Sequence, residues 1–347
     1  MLFLTLKVVE IRRETDDTVT VAFKQPALKK VKYLAGQYLT LTFRINGRRY
    51  IRPYSFSSAP GVDANLEVTV KRVPGGVVSN HIIDKVKVDD LIEVMPPMGD
   101  FILNEAAITP DTHIVLWGAG SGVTPLMSIA KYALHKSMGG HVTLVYGNRN
   151  AESVIFQDKI DALSAGFNNF SAWHFHTALA VASNNPRLVQ GRIDPSNVLA
   201  VMHAEGKLEN TLHYICGPSG LKESVKAALA ALGIEGKNVY SEDFEVVRNP
   251  TDFEGIITRS IGITNNGERT VVEAVKGKSI LEAALDAGID MPYSCQTGNC
   301  LVCKGSLLKG DVKVIGVDKL PAELQPNQRL LCCSFPLTDD VEIQVDQ

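Results

Sequence analysis

Residues 291–305 read MPYSCQTGNCLVCKG, and the spacing of their cysteines governs how the rest of the chain is read. Cys295, Cys300 and Cys303 make a C-x4-C-x2-C run, and after 28 further residues LLCCSFP (330–336) adds Cys332 and Cys333. Five of the six cysteines in 347 residues therefore fall between 295 and 333. That is too sparse for a disulfide scaffold, and clustered cysteines in a reducing compartment point to metal or redox chemistry. Three thiolates on one short loop can all point inward while a fourth arrives from a distant strand, the ligation pattern of a [2Fe-2S] cluster. Gly298 lets such a loop fold tightly and expose backbone N–H groups. Zinc is the competing reading, but zinc ribbons pair two CxxC knuckles and only one is present.

Upstream of the cysteines, a hairpin is expected around Asn265-Asn266-Gly267 and a helix over 279–287. EVVRNPTDFEG (245–255) is polar, holds Pro250 and reads as a linker. Before it the chain alternates buried strand and helix: HIVLWGAG, a helix over 124–138, HVTLVYG, a helix over 152–164, FSAWHFHTA, LHYICG and an Ala-rich helix over 219–232. This alternation predicts a parallel sheet wrapped by helices. The first hundred residues give short alternating segments, LKVVEI, TVTVAF, YLTLTF, LEVTVKRV and LIEVMPP, with turn residues at Asn46-Gly47 and Pro74-Gly75-Gly76. That is the signature of an antiparallel barrel. The expected organisation is a β-barrel domain over 1–105, an α/β nucleotide domain over 106–245, a linker over 246–257 and a cysteine module over 258–347.

A chain of 347 residues suits two or three domains. The net charge of −3 argues against a nucleic-acid partner, which requires a strong basic face. Residues 259–347 hold 12 acidic and 9 basic side chains, while the remainder balances at 26 of each. The small acidic excess thus lies on the last module and hints at a docking face. No apolar run approaches the ~20 residues needed to span a bilayer, so no membrane insertion is expected. The start, MLFLTLKVVEIRRE, is apolar for six residues before Lys7 and then alternates like a strand, which makes a poor signal peptide. A cytoplasmic location is expected.

Several short motifs carry chemistry. RPYSFSS (52–58) follows a strand and a basic hairpin, and an arginine there suits a phosphate because its fork binds two oxygens. GGVVSN (75–80) sets glycines before a helix whose free N–H groups attract an anion; its plainer reading is a Pro-Gly-Gly turn with a serine cap. GAGSGVTP (118–125) joins a strand to a helix through glycines that allow close approach to a pyrophosphate. In YICGPSG (214–220), Cys216 taken alone reads as a buried structural cysteine at a strand end. YGNRNAES (146–153) follows the second parallel strand with Arg149 and has no acid until Glu152. An arginine at that place accepts a 2′-phosphate where an acid would bind a ribose hydroxyl, which favours NADPH over NADH.

These motifs cover nearly the whole chain and resemble the ferredoxin–NADP reductase superfamily, in particular oxygenase reductases that end in a plant-type [2Fe-2S] ferredoxin. YGNR followed by SVIF is similar to the phenylacetyl-CoA oxygenase reductase group. The resemblance implies a β-grasp, α+β fold for the last module. It implies that Arg52 pairs with a flavin phosphate, Tyr54 packs on the isoalloxazine, Ser55 hydrogen-bonds near flavin N5, and Gly76 and Ser79 hold the pyrophosphate. The extra basic, glycine-rich motif of FMN enzymes is missing, which favours FAD. Gly118, Gly120, Gly122, Thr124 and Pro125 match the family's nucleotide loop, and Cys216 with Gly217 is implied beside the nicotinamide ring. Glu242 and Phe244 of SEDFEV match a Glu-x-aromatic pair near the flavin, with Phe in place of the more usual Tyr. MPYSCQTGNC resembles the ferredoxin loop closely, with Gln296 where an arginine is common. In that family the last ligand lies four residues before a proline in a C-x-x-aromatic-P run, which selects Cys332, with Phe335 and Pro336; Cys333, its strand neighbour, would face away. The implied activity is electron transfer from NAD(P)H through FAD and a [2Fe-2S] cluster to an oxygenase or hydroxylase protein docking near the cluster. Ser55, Cys216 and Glu242 would align flavin and nicotinamide, in a chain that is monomeric alone. The alternatives are a redox-sensing or scaffold protein without turnover, or a reductase for a non-oxygenase acceptor.

Overall fold

The computed structural model describes the chain apart from residues 1–2, 28–29, 179–184, 207, 245–248, 318–319 and 346–347. Part of the expected linker, 246–248, lies outside the described residues. The described residues hold three main sheets, one for each expected fold pattern.

The first sheet contains β1 (Leu4–Thr15), β2 (Thr18–Phe23), β3 (Tyr38–Ile45), β4 (Arg48–Ser55), β5 (Leu66–Lys71) and β6 (Leu91–Met98), with helix α1 (Val77–Lys85) between the last two. Its order is β4-β3-β6-β1-β2-β5, and every neighbouring pair is antiparallel. Asn46 and Gly47 take φ of 50° and 77°, the left-handed pair that a tight hairpin needs between β3 and β4. A bridge from Phe56 to Val68 joins the end of edge strand β4 to edge strand β5, so the sheet closes into a barrel at that seam. Phe23, Leu39, Leu41, Phe56, Val68 and Val94 fill the interior. The threonines of β2 are buried with their hydroxyls paired: Thr18 Oγ1 donates to the Asp17 carboxylate at 2.9 Å, and Thr20 Oγ1 lies 2.7 Å from Thr69 Oγ1, which lies 2.9 Å from Ser57 Oγ.

The second sheet contains β7 (His113–Ala119), β8 (His141–Asn148), β9 (Phe170–His176), β10 (Leu188–Gln190), β11 (Thr211–Cys216) and β12 (Val239–Glu242). It is wholly parallel, in the order β10-β9-β8-β7-β11-β12. Helices α2 (Val123–His135) and α3 (Gln157–Gly166) cover one face, with Leu126, Ile129 and Ile160 in its core. Helices α4 (Pro195–Glu205) and α5 (Ser219–Ala231) cover the other, with Val198, Met202 and Val225. The helix expected from residue 152 begins only at Gln157. A short turn, Ala151–Ser153, precedes it, and Phe156 takes φ 69° so that Ile155 and Phe156 can both enter the core. Strands β10 and β12 and helix α4 are additions to the pattern expected from the sequence.

The third sheet is built from β13 (Arg259–Asn265), β14 (Glu268–Ala274), β15 (Lys304–Lys309), β17 (Gln328–Leu330) and β19 (Glu342–Val345), in the order β14-β13-β19-β15-β17. The small pair β16 (Val312–Val314) and β18 (Ser334–Pro336) stands apart from it. Central strands β13 and β19 are parallel, and helix α6 (Ile280–Asp286) packs through Ile280, Leu281, Ala283 and Ala284. Ser279 and Glu282 form a reciprocal cap at its start. One helix on a mixed sheet with parallel central strands is the α+β arrangement expected of this module. The hairpin from β13 to β14 turns on Asn266 and Gly267 at φ 54° and 82°.

The chain forms two compact units, Leu2–Asp243 and Phe244–Gln347. Within the second, Phe253 and Ile256 pack with Ile315, Phe335 and Leu337, and the Lys313 ammonium donates to the Asp252 carbonyl at 2.6 Å. The later part of the expected linker is thus packed. No helix among the described residues is long and apolar enough to cross a membrane.

Candidate functional site

The parallel sheet reverses its strand order at β7, with β8 on one side and β11 on the other. In such sheets ligands bind outside the carboxyl ends of the strands at that reversal. Register places Gly118 of β7 opposite Cys216 of β11, and Cys216 opposite Glu242 of β12, so three expected site residues form one row at the carboxyl edge. The loop Gly120–Gly122 leaves β7 and leads straight into α2. A Cβ on Gly122 would lie 2.1 Å from the Cys216 carbonyl oxygen and 2.8 Å from the Gly217 nitrogen. The glycine loop is therefore pressed onto the Cys216–Gly217 peptide, and two motifs almost a hundred residues apart become one structure.

Thr124 Oγ1 donates to the Ser121 carbonyl at 2.9 Å, and Tyr146 Oη donates to the Gly120 carbonyl at 2.9 Å, fixing the loop from both sides. Pro125 sits in the first turn of α2, where its missing N–H costs no helical hydrogen bond. No side chain caps that helix start and its first turn holds no acid, so its positive dipole end suits an anion, although the Val123 N–H already donates to the Gly120 and Ser121 carbonyls. Burial first, and then the Glu242 and Asp243 carboxylates, push the Cys216 thiol well above its usual range. Cys216 is thus a neutral thiol rather than a nucleophile. Arg149 is exposed at the end of β8, two strands from Cys216. Phe244 is exposed and is the first residue of the other compact unit.

The barrel motif lies at the barrel seam. Arg52 and Tyr54 alternate onto one side of β4, opposite Leu41 and Leu39 of β3, and Tyr54 packs against the barrel core. Burial pushes the Tyr54 phenol up, with Arg52 opposing. Ser55 is buried at the end of the strand. Beyond it Ser58 shares a hydrogen bond with Tyr33 at 2.8 Å, and the Ser58 carbonyl accepts from Ser128 of α2 at 2.6 Å. Lys131, one turn further along α2, pairs with Asp63 at 2.6 Å. These bonds tie the segment after Arg52 and Tyr54 to the helix that starts at the glycine loop.

Helix α1 begins after Gly76 with no side-chain cap and no acid in its first turn. Ser79 does not cap it; its Oγ accepts from the Val73 nitrogen at 3.1 Å and so folds the turn. Asn80 Nδ2 donates to the Gly76 carbonyl at 2.6 Å, and Arg72 donates to Asn80 and to both carboxylate oxygens of Asp84.

In the second unit the cysteine loop carries three left-handed positions, Gln296, Gly298 and Leu301, at φ 59°, 84° and 59°. Two of these are not glycine, a strain held at functional sites when the surroundings determine it. The loop turns its N–H groups toward sulfur: Thr297 donates to Cys295 Sγ at 3.4 Å and Cys295 donates to Cys300 Sγ at 3.5 Å. Hydrogen bonds from Cys300 and then from Thr297 pull the Cys295 thiol down, while the partnership with Cys332, followed by burial, pushes Cys303 up. Four soft sulfur donors with N–H groups turned toward them suit an iron–sulfur cluster.

One expectation needs correction. The sequence expectation is that Cys333, as the strand neighbour of Cys332, faces away from the cluster. Strand β17 ends at Leu330, residues 331–333 form a turn closed by the Cys333 N–H on the Leu330 carbonyl at 3.0 Å, and the two sulfurs lie 3.5 Å apart. Strand alternation does not apply in a turn, so both thiols stay on the same side.

A further cluster, which no sequence motif announces, occupies the opposite, amino edge of the parallel sheet. Donor atoms of His113, His141 and Glu205 lie within 4.8 Å of one another. Glu205 accepts from Trp173 Nε1 at 2.6 Å, Ser171 Oγ at 3.0 Å and Thr143 Oγ1 at 3.1 Å. Burial pushes its pKa up, but hydrogen bonds from His141, Trp173, Ser171 and Thr143 outweigh that and pull the group down to about 2. Its oxygens are filled, so this is a latch holding α4 to the sheet.

Comparison with known proteins matches three family models in order: an oxidoreductase FAD-binding domain over residues 5–102, an oxidoreductase NAD-binding domain over 116–227, and a 2Fe-2S iron-sulfur cluster binding domain over 263–337. The 3-ketosteroid-9-alpha-monooxygenase ferredoxin reductase component of Mycobacterium tuberculosis is 32% identical, over 99% of this chain and 96% of the relative. One component of the Escherichia coli 1,2-phenylacetyl-CoA epoxidase is 30% identical, over 99% of this chain and 98% of the relative. Among solved structures, phthalate dioxygenase reductase superposes with a TM-score of 0.69 at 23% identity, over 99% of this chain and 98% of that one, a likeness of three-domain fold.

Proposed function

The chain belongs to the ferredoxin-reductase components of oxygenases, oxidoreductases that use FAD, a nicotinamide nucleotide and a [2Fe-2S] cluster, and from that premise we propose which residues do the work and where the electrons leave. When bound, FAD converts the two-electron delivery of NAD(P)H into single electrons and the cluster passes them on one at a time. Arg52 binds the flavin phosphate with its fork, and Tyr54 covers the isoalloxazine. Ser55 holds a hydrogen bond near flavin N5. Gly76, the free start of α1 and the turn folded by Ser79 receive the pyrophosphate.

Gly118, Gly120, Gly122, Thr124 and Pro125 receive the nicotinamide dinucleotide at the start of α2. The neutral Cys216 thiol, with Gly217, lies along the ring, and Glu242 sets its angle from the neighbouring strand. Arg149 meets a 2′-phosphate, which makes NADPH the preferred donor. Cys295, Cys300, Cys303 and Cys332 hold the cluster. An oxygenase or hydroxylase protein docks near it, on the unit that carries the acidic excess. The domains run 1–105, 106–245 and 258–347, and the chain works as a cytoplasmic monomer.

The observation that carries this reading is the row Gly118–Cys216–Glu242 with Gly122 seated on the Cys216–Gly217 peptide. Purified protein should contain FAD and iron, and should reduce cytochrome c with a higher kcat/KM for NADPH than for NADH. Flavin without iron would remove the cluster assignment, and a preference for NADH would remove Arg149 from it.

A further inference from the structure

The cysteine site holds one thiol more than a [2Fe-2S] cluster needs. Cys333 is fully buried, and its sulfur lies 3.5 Å from that of Cys332. Two backbone bonds pin it, Cys333 N–H to the Leu330 carbonyl at 3.0 Å and Ile315 N–H to the Cys333 carbonyl at 2.9 Å. From the other side the loop closes on it: a Cβ on Gly298 would lie 3.1 Å from Cys333 Sγ. The thiol is thus wedged between the sulfur of Cys332 and the backbone of the loop that carries the other three cysteines.

Cys332 meets Cys303 as well as Cys333 through its sulfur, so it joins the cysteine loop's thiols to the extra one. A thiolate that ligates iron has lost its proton and can only accept a hydrogen bond. Once Cys332 is a ligand, the proton between the two sulfurs belongs to Cys333. We infer that Cys333 is a positioning residue of the cluster: its S–H donates to Cys332 Sγ, holds that ligand in place and raises the reduction potential. This rests on the reading of Cys332 as the fourth ligand. A hydrogen bond to a ligand sulfur stabilises the extra negative charge of the reduced cluster, and so moves the potential upward. A thiol is a weak donor, but in a dry site its effect is larger than in water. An electron exit with a raised potential draws electrons from the flavin more strongly.

The test compares Cys333→Ala, Cys333→Ser and Cys332→Ser in the full chain, each with its flavin content as a check on folding. Iron and sulfide per flavin, the electron paramagnetic resonance spectrum of the reduced protein, and the cluster potential by anaerobic titration are the readouts. Cys333→Ala should keep a full complement of iron and shift the potential to a more negative value. Cys333→Ser, which still offers a donor, should recover most of that shift, and Cys332→Ser should lose the iron. A Cys333→Ala protein with full iron and an unshifted potential would overturn the inference while leaving the ligand reading intact. Loss of iron from Cys333→Ala with retention in Cys332→Ser would overturn the ligand reading itself. Loss of iron from both would also contradict the inference, since Cys333 would then be needed to hold the cluster rather than to tune it.

Discussion

The two edges of the parallel sheet use the same strands for opposite ends. At the amino edge His113, His141, Thr143, Ser171 and Trp173 converge on Glu205, and the carboxylate oxygens are taken by hydrogen bonds. At the carboxyl edge the row Gly118, Cys216 and Glu242 stands beside an uncapped helix start, and the glycine loop leaves backbone groups accessible. The amino edge has the more polar side chains and the histidines, yet it is closed. The carboxyl edge has glycines and one neutral thiol, and it is where an anionic dinucleotide finds donors. A ligand site is marked here by what the backbone leaves unfilled, not by how many polar residues gather.

That contrast breaks most severely at Gly122. Gly122→Val drives a side chain into the Cys216 carbonyl, so kcat/KM for NADPH should fall more than about a hundredfold, the scale of an ångström-sized displacement at a reacting centre. Stopped-flow reduction of bound flavin measures it, and a loss below tenfold would detach the loop from the site. At the other edge Glu205→Ala takes the carboxylate from half-buried Trp173 and buried Ser171 and Thr143 and should cost about 1–3 kcal/mol in urea unfolding, with kcat/KM for NADPH unchanged. The latch also predicts a pH dependence. The Glu205 pKa is about 2 in the folded chain against an ordinary 4.5, so its stabilisation is complete above pH 4.5 and is lost as pH falls toward 2. The urea midpoint should follow that course in the wild type and much less in Glu205→Gln. Cys216→Ala, which removes a neutral, buried packing group, should lower kcat about tenfold by loosening ring alignment and should cost about 1 kcal/mol in unfolding. The smallest effect is that of Arg149→Ala, which should raise KM for NADPH about fivefold as one exposed charge-assisted contact is lost, and leave NADH untouched.

Features written in local order were legible. The C-x4-C-x2-C spacing, the left-handed Asn-Gly pairs at 46–47 and 266–267, and the glycine run at 118–122 each carry their geometry within a few residues. Features made by register or packing were not. The seating of Gly122 on Cys216 depends on β7 pairing with β11, which the residues between them do not announce. Phe156 adopts a left-handed backbone because core burial outweighs helix continuation, and so shortens the expected helix. Strand β12 has four residues, and its parallel partner rather than its own alternation defines it. Cys333 departs from the strand expectation because it lies in a turn, where alternation has no force.

The most direct test is an anaerobic stopped-flow mix of the purified chain with NADPH, followed at separate flavin and cluster wavelengths. Flavin absorbance should bleach first and cluster absorbance should follow in the same protein, and Gly122→Val should slow both phases more than about a hundredfold. Cluster bleaching without prior flavin reduction, or a reduced flavin that leaves the cluster oxidised, would contradict an electron path from nicotinamide through flavin to the four cysteines.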